Sequence, residues 1–298
     1  MSSLNNSFDA ESIALSPLCI DNVEHRPDYW TDDGHGWQDS YTARQRVFPD
    51  GQCEVTVTKE RHYIGAALRR KPRAKRGESE NREANDDDAG RRAKKNVRLC
   101  CKMIGADRMV TLTYRENMVD RDTALKHWKA FCRRLAKVAQ FHYVAVIEEQ
   151  QRGALHFHVA VRGRQNYVLL RSIWQRVLGL GPSGEQMGQV NVRDPHRFGF
   201  GQHGAHKLAS YIAKYCSKEM NARALDQKRY FRSRGIVLPE VNTVRLNCTS
   251  MLGAVQAAFS IVMPYGLENI QSWCNNGLGV VWLSTAPKPS ALGSGCPF

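Results

Sequence analysis

The sequence predicts an α+β fold, a central antiparallel sheet with flanking helices gathered on one face. Three observations carry that expectation. Between residues 108 and 220, segments of period two and of period 3.6 alternate in the order β-α-β-β-α-β-α. The second and third of those strands are joined only by "QRG", a connection short enough to force an antiparallel hairpin. Hydrophobic residues make up 42% of the 298, an ordinary share that supports a packed core.

Taken in order, residues 1–40 are polar and irregular. "ARQRVFPDGQCEVTVTK" alternates on either side of a Pro-Asp-Gly turn and reads as a hairpin within an N-terminal extension, 1–68. Residues 69–98 hold two basic clusters around an acidic one, too charged to bury a core, and are expected to be a linker or arm. The regular domain is placed at 99–235. In it, "RMVTLTY" (108–114) alternates as a strand, and 120–139 carries Ala124, Trp128, Phe131, Leu135 and Val138 at helical steps. Strands follow at 141–150 and 154–163, then a helix over 167–179 closed by Gly179. A short strand at 188–194 precedes a helix over 204–220, where Leu208, Tyr211, Ile212, Tyr215 and Cys216 share a face. Residues 236–298 form a C-terminal region without a recognisable motif. From 251 onward its only charged residues are Glu268 and Lys288.

The charge balance narrows the partners. Forty-three Lys and Arg against twenty-nine Asp and Glu leave a formal +14, which favours a polyanion, nucleic acid before an anionic membrane. No apolar run is long enough to span a bilayer, and the first residues lack the pattern of a signal peptide. Nine cysteines at irregular spacing, with no C-x-x-C, fit a reduced compartment better than a disulfide framework or a structural zinc site. The expectation is a soluble cytoplasmic protein with no membrane association.

Two stretches carry chemistry. In "GALHFHVAV" (153–161), His156 and His158 are two apart on a strand and project to one side, with Leu155, Phe157 and Val159 on the other. If the turn centres on Arg152, Glu148 falls opposite His156, and two imidazoles and a carboxylate converge on one face. Strand parity puts the rival carboxylate, Glu149, on the other face. Such mixed donors suit Mn²⁺ or Mg²⁺, and also Zn²⁺ or Fe²⁺. His203 and His206, three apart, read as cap or surface residues. The second stretch, "YIAKYCSK" (211–218), reads Y-x-x-K twice. Tyr211 and Tyr215 stack at i, i+4 beside a ridge of Lys214 and Lys218. A tyrosine hydroxyl can attack phosphorus, and a neighbouring ammonium would position the phosphate and favour the phenolate.

"TLT" at 111–113, "HFH" at 156–158 and "YIAKYCSK" at 211–218, in that order, resemble the HUH endonucleases, most closely the rolling-circle replication initiators of phages and plasmids of the two-tyrosine type. The resemblance spans about 99–235. It implies a five-stranded antiparallel sheet and a divalent metal, Mg²⁺ or Mn²⁺, on His156, His158 and Glu148. It further implies Tyr211 and Tyr215 as alternating nucleophiles assisted by Lys214 and Lys218. The activity implied is cutting of one DNA strand, with a 5′-phosphotyrosine link and a 3′-hydroxyl primer. "TLT" is structural in that family. No G-x-x-x-x-G-K-[ST] is present, so strand separation would fall to a host helicase and extension to a host DNA polymerase. The DNA would be a single-stranded or supercoiled origin in a bacterial host cytoplasm. A transposase or relaxase shares the chemistry, although relaxases usually carry their tyrosines N-terminal to the metal strand. Two readings of other classes are a DNA-binding protein without catalysis, which leaves the histidines and the doubled Y-x-x-K idle, and a metal oxygenase, which explains neither the charge nor the tyrosines.

Overall fold

The computed structural model describes residues 36–63, 75, 78–193, 208–209, 211–214 and 227–286. They include strands β1 (Trp37–Val47) and β2 (Cys53–Tyr63), helix α1 (Arg82–Met103), β3 (Arg108–Tyr114), α2 (Arg121–Leu135), β4 (Tyr143–Glu149) and β5 (Leu155–Val161). After these come α3 (Tyr167–Leu178), β6 (Gly188–Arg193), β7 (Phe231–Arg232), β8 (Asn242–Leu246), α4 (Met251–Val262), β9 (Gln271–Asn275) and β10 (Val280–Ser284). The class is α+β, with two five-stranded sheets, and the chain divides into two compact units.

One unit holds the described parts of 1–47, 51–69 and 240–289. Its sheet runs β8-β1-β2-β10-β9, all antiparallel. The Pro-Asp-Gly turn works because Gly51 takes φ of 81°, a left-handed value that suits glycine. Tyr41, Ala43, Val55 and Val57 alternate into a core shared with Ala254, Ala257 and Val262 of α4. The C-terminal apolar runs therefore complete the sheet begun by the N-terminal hairpin. No period in the sequence reports that pairing, because the partners lie toward opposite ends of the chain.

The other unit holds the described parts of 48–50 and 70–239, with sheet order β6-β3-β5-β4-β7. Each neighbouring pair in it is antiparallel. On one face, α2 and α3 deliver Trp128, Phe131, Leu135, Leu170, Ile173 and Trp174 onto Leu112, Ile147, Leu155, Phe157 and Val159. Phe157 is fully buried and stacks on Trp128, with ring centroids 5.1 Å apart and planes 14° from parallel. Trp174 satisfies its indole by donating to the Thr113 carbonyl at 3.0 Å. Gly188 passes so near this bond that a Cβ there would lie 2.7 Å from both Thr113 O and Trp174 Nε1. Helix ends are capped as expected. The Asp120 side chain accepts from Asp122 N, that of Asn166 from Leu169 N, and Gly179 ends α3 at φ of 79°.

Three expectations change here. The sheet carries helices on both faces, since Val97, Cys100 and Cys101 of α1 and the helical residues Leu208, Ala209, Ile212 and Ala213 pack on the second face. Residues 82–98, expected as linker, form most of α1. Its apolar positions are concentrated in its last turns, Val97 to Cys101, where the second face buries them, while the charged majority stays on the surface. The α2 stripe stops at Leu135, because the helix ends there with the Ala136 N–H bonded to Cys132 O, and Val138 is left exposed. Among the described residues no helix is long and apolar enough to cross a membrane.

Truncating the stacked ring is the direct test of how the sheet is held. Phe157→Ala is expected to cost about 3–5 kcal/mol of unfolding free energy, read from the urea midpoint by tryptophan fluorescence. A loss under about 1 kcal/mol would mean that the stack with Trp128 does not anchor β5.

Candidate active site

The hairpin β4–β5 builds the site. Gln150 N–H donates to Ala154 O at 2.9 Å and Gly153 N–H to Gln150 O at 2.8 Å, a tight reversal in which Gly153 takes φ of 82°. The turn centres on Arg152, so Glu148 pairs with His156 and Val146 with His158. Thr111 of β3 is the register partner of His158 from the other side. Because residues two apart share a face, Thr111, Glu148, His156 and His158 lie on the side opposite Phe157. Glu149 is exposed, and its register partner is the buried Leu155, so it takes no part.

Side-chain contacts tie this patch together unevenly. His158 is 6% exposed, and its Nε2 lies 2.6 Å from Glu148 Oε2, with the carboxylate also largely withdrawn from solvent. On the other side of the same ring, Nδ1 lies 3.3 Å from Thr111 Oγ1. His156 is half-buried, with Nδ1 3.2 Å from the Gln150 side-chain nitrogen. Burial, then the neighbouring His158 and more weakly Arg152, hold the His156 imidazole below its ordinary pKa, while Glu148 pulls the other way. Neutral imidazole is the form that ligates metal.

Donor type and face suit a divalent ion, but the spacing does not yet make a cage. Among the described residues no group of three or more His, Cys, Asp or Glu is arranged to hold a metal ion. The patch is a Glu148–His158 pair with His156 beside it. A metal on these residues would have to take the place of the proton shared between His158 Nε2 and Glu148. Thr111 already sits where it could accept from Nδ1–H of His158 and fix the ring, as outer partners of ligating histidines do. Gln150 could do the same for His156 if its amide oxygen faced Nδ1–H. Neither residue is foreseen as part of the site by its type. Thr111 could have been found from register, since it is the direct cross-strand neighbour of His158.

The tyrosine segment lies over the same face. Leu208, Ala209, Ile212 and Ala213 are buried among Met109, Val144, Val146 and Ala160. By parity those strand residues continue the face that carries Thr111, Glu148, His156 and His158. The buried stripe of the helical segment thus differs from the expected one, because Tyr211 stands at its border, 36% exposed, and Lys214 is exposed one turn on. Ile212 and Ala213 fill the core next to Tyr211, which leaves the hydroxyl on the outer side. Tyr215 and Lys218 lie outside the described residues, as do His203 and His206.

Residues 107–220 match the family model of replication-associated proteins of the ORF2 type. The match takes in β3, the β4–β5 hairpin and the whole of "YIAKYCSK", well under half the chain, and it supports a replication initiator of the Rep type. No curated protein and no solved structure matches the chain.

In an NMR titration, His156 is expected to show a midpoint below the ordinary histidine value of about 6.5. With the folded pKa depressed, the unfolded chain binds more protons in that window. Stability therefore falls as pH drops from about 6.5 toward the folded midpoint, and is flat above it for this group. A midpoint at or above the ordinary value would contradict burial as the dominant influence.

Proposed function

We propose that this protein is a site- and strand-specific DNA nicking and joining enzyme that initiates rolling-circle replication. The observation that carries the reading is the shared face: the helical segment bearing Tyr211 and Lys214 is packed on the side of the sheet that presents Glu148, His156 and His158. The family match over 107–220 supports a role in replication, and the formal charge of +14 suits a phosphodiester substrate.

In the proposed reaction the hydroxyl of Tyr211 or Tyr215 attacks the scissile phosphorus. The P–O3′ bond breaks, the 3′ oxygen leaves and takes up a proton, and the 5′ phosphate stays on the tyrosine. Lys214 and Lys218 supply positive charge next to the phenols, favouring the phenolate and holding the phosphate oxygens. A Mg²⁺ or Mn²⁺ held by His156, His158 and Glu148 would polarise the scissile phosphate. One phosphoester replaces another, so the second tyrosine can accept the strand in a later transfer and the ends can be rejoined without ATP. The substrate is origin DNA, single-stranded or supercoiled, and unwinding and extension fall to a host helicase and polymerase in the bacterial cytoplasm. A transposase or relaxase of the same chemistry differs in the DNA it cuts.

The test is a labelled single-stranded oligonucleotide library incubated with Mn²⁺ and resolved on a denaturing gel for protein-linked DNA. The expected result is an adduct that vanishes with EDTA and in the Tyr211→Phe, Tyr215→Phe double variant. Tight DNA binding without any adduct would overturn the catalytic reading in favour of a DNA-binding protein.

A further inference from the structure

On the α2/α3 side of the same sheet, away from the histidines, the outer surface of α3 and the returning chain after it enclose a cleft of about 440 Å³. Leu170, Ile173 and Trp174 turn the inner side of α3 into the core. Arg171, Ser172, Gln175 and Arg176 are thereby left to line the cleft, with Leu180 and Gln186 closing it from the far side. Gly179 reverses the chain, and a bridge between Leu180 and Gln186 holds the return in place.

Three features point to an anionic occupant. The charged side chains lining the cleft are both arginines. The nearby Glu185 turns a carboxylate oxygen back to the Ser183 N–H at 2.9 Å and is not part of the lining. Gln175 Nε2 is buried without an acceptor among the described residues, a donor that gains most from an oxygen brought to it. Two guanidinium groups, a hydroxyl and an unsatisfied amide donor around a small apolar wall form the donor set that suits a phosphodiester with its adjoining sugar.

We propose that this cleft is a second DNA-backbone subsite, holding a segment of the substrate away from the bond to be cut. The proposal rests on the reading of the protein as a DNA-processing enzyme, but it concerns binding and can be separated from cleavage. Contact from two arginines fixes the DNA on the sheet's outer side, while the reacting strand is handled on the histidine side. The role is positioning, not catalysis.

The experiment measures affinity of the full-length protein for single-stranded and duplex DNA by fluorescence anisotropy over a range of salt, with nicking followed in parallel. Arg171→Ala with Arg176→Ala should weaken binding about tenfold and lower the salt slope by about one to two. Gln175→Leu should weaken binding severalfold with the slope unchanged, since it removes no charge. The arm, single-stranded or duplex, in which the loss appears identifies the segment held. Arg133→Ala with Arg134→Ala, two exposed arginines on α2, removes equal charge elsewhere and should have little effect. If that control weakens binding as much as the cleft variant, or if the cleft variant binds like wild type with an unchanged melting temperature, the subsite is refuted. A wild-type protein that binds DNA but forms no adduct would refute the nuclease reading and leave the cleft standing. A wild type that binds no DNA would end both.

Discussion

Phe157 has no exposure and stacks flat on Trp128, and the rest of the candidate site depends on that burial. A strand has two faces, and Leu155, Phe157, Val159 and Val161 commit one of them to the α2/α3 core. His156 and His158 are thereby directed the other way without any contact of their own choosing it. The register with β4 then sets Glu148 opposite His156, and the register with β3 sets Thr111 opposite His158. A shift of one residue in either pairing would carry the polar groups into the aromatic core, so packing and site geometry are enforced by the same energy.

The second face is divided along its length. Met109, Val144, Val146 and Ala160 take up α1 and the helical residues at 208–213, and the polar patch begins where that apolar area ends. Charge and chemistry are distributed around this division. The proposed nucleophile stands at the border of a buried stripe, where Ile212 and Ala213 fix the backbone and Tyr211 keeps solvent access. The arginine-lined cleft on α3 lies across the sheet, which would let one domain grip and cut DNA with different faces.

Much of this was legible in the residues. The strand 108–114 has the bounds expected from its alternation, and the helices at 121–135 and 167–178 begin at their capping side chains. The centre of the β4–β5 turn follows from the length of the apolar runs, and with it the Glu148–His156 pairing. What could not be read has a common cause, long-range pairing. Val97, Cys100 and Cys101 look like an isolated apolar patch in a charged segment until the second face of the sheet supplies their partners. The apolar runs at 254–263 and 278–284 have no evident purpose until β10 pairs with β2. The involvement of Thr111 and Gln150 depends on which ring nitrogen each faces, which no pattern of residue types encodes.

The proposal that most needs a direct measurement is that Glu148, His156 and His158 act together on one ion. Free Mn²⁺ can be followed by electron paramagnetic resonance while wild type, His156→Ala, His158→Ala and Glu148→Gln are titrated without DNA. One ion per wild-type chain is expected, with affinity reduced about tenfold or more in each variant. Equal uptake by all four proteins would contradict a shared site on this face and would leave the Glu148–His158 contact as an ordinary buried hydrogen-bonded pair.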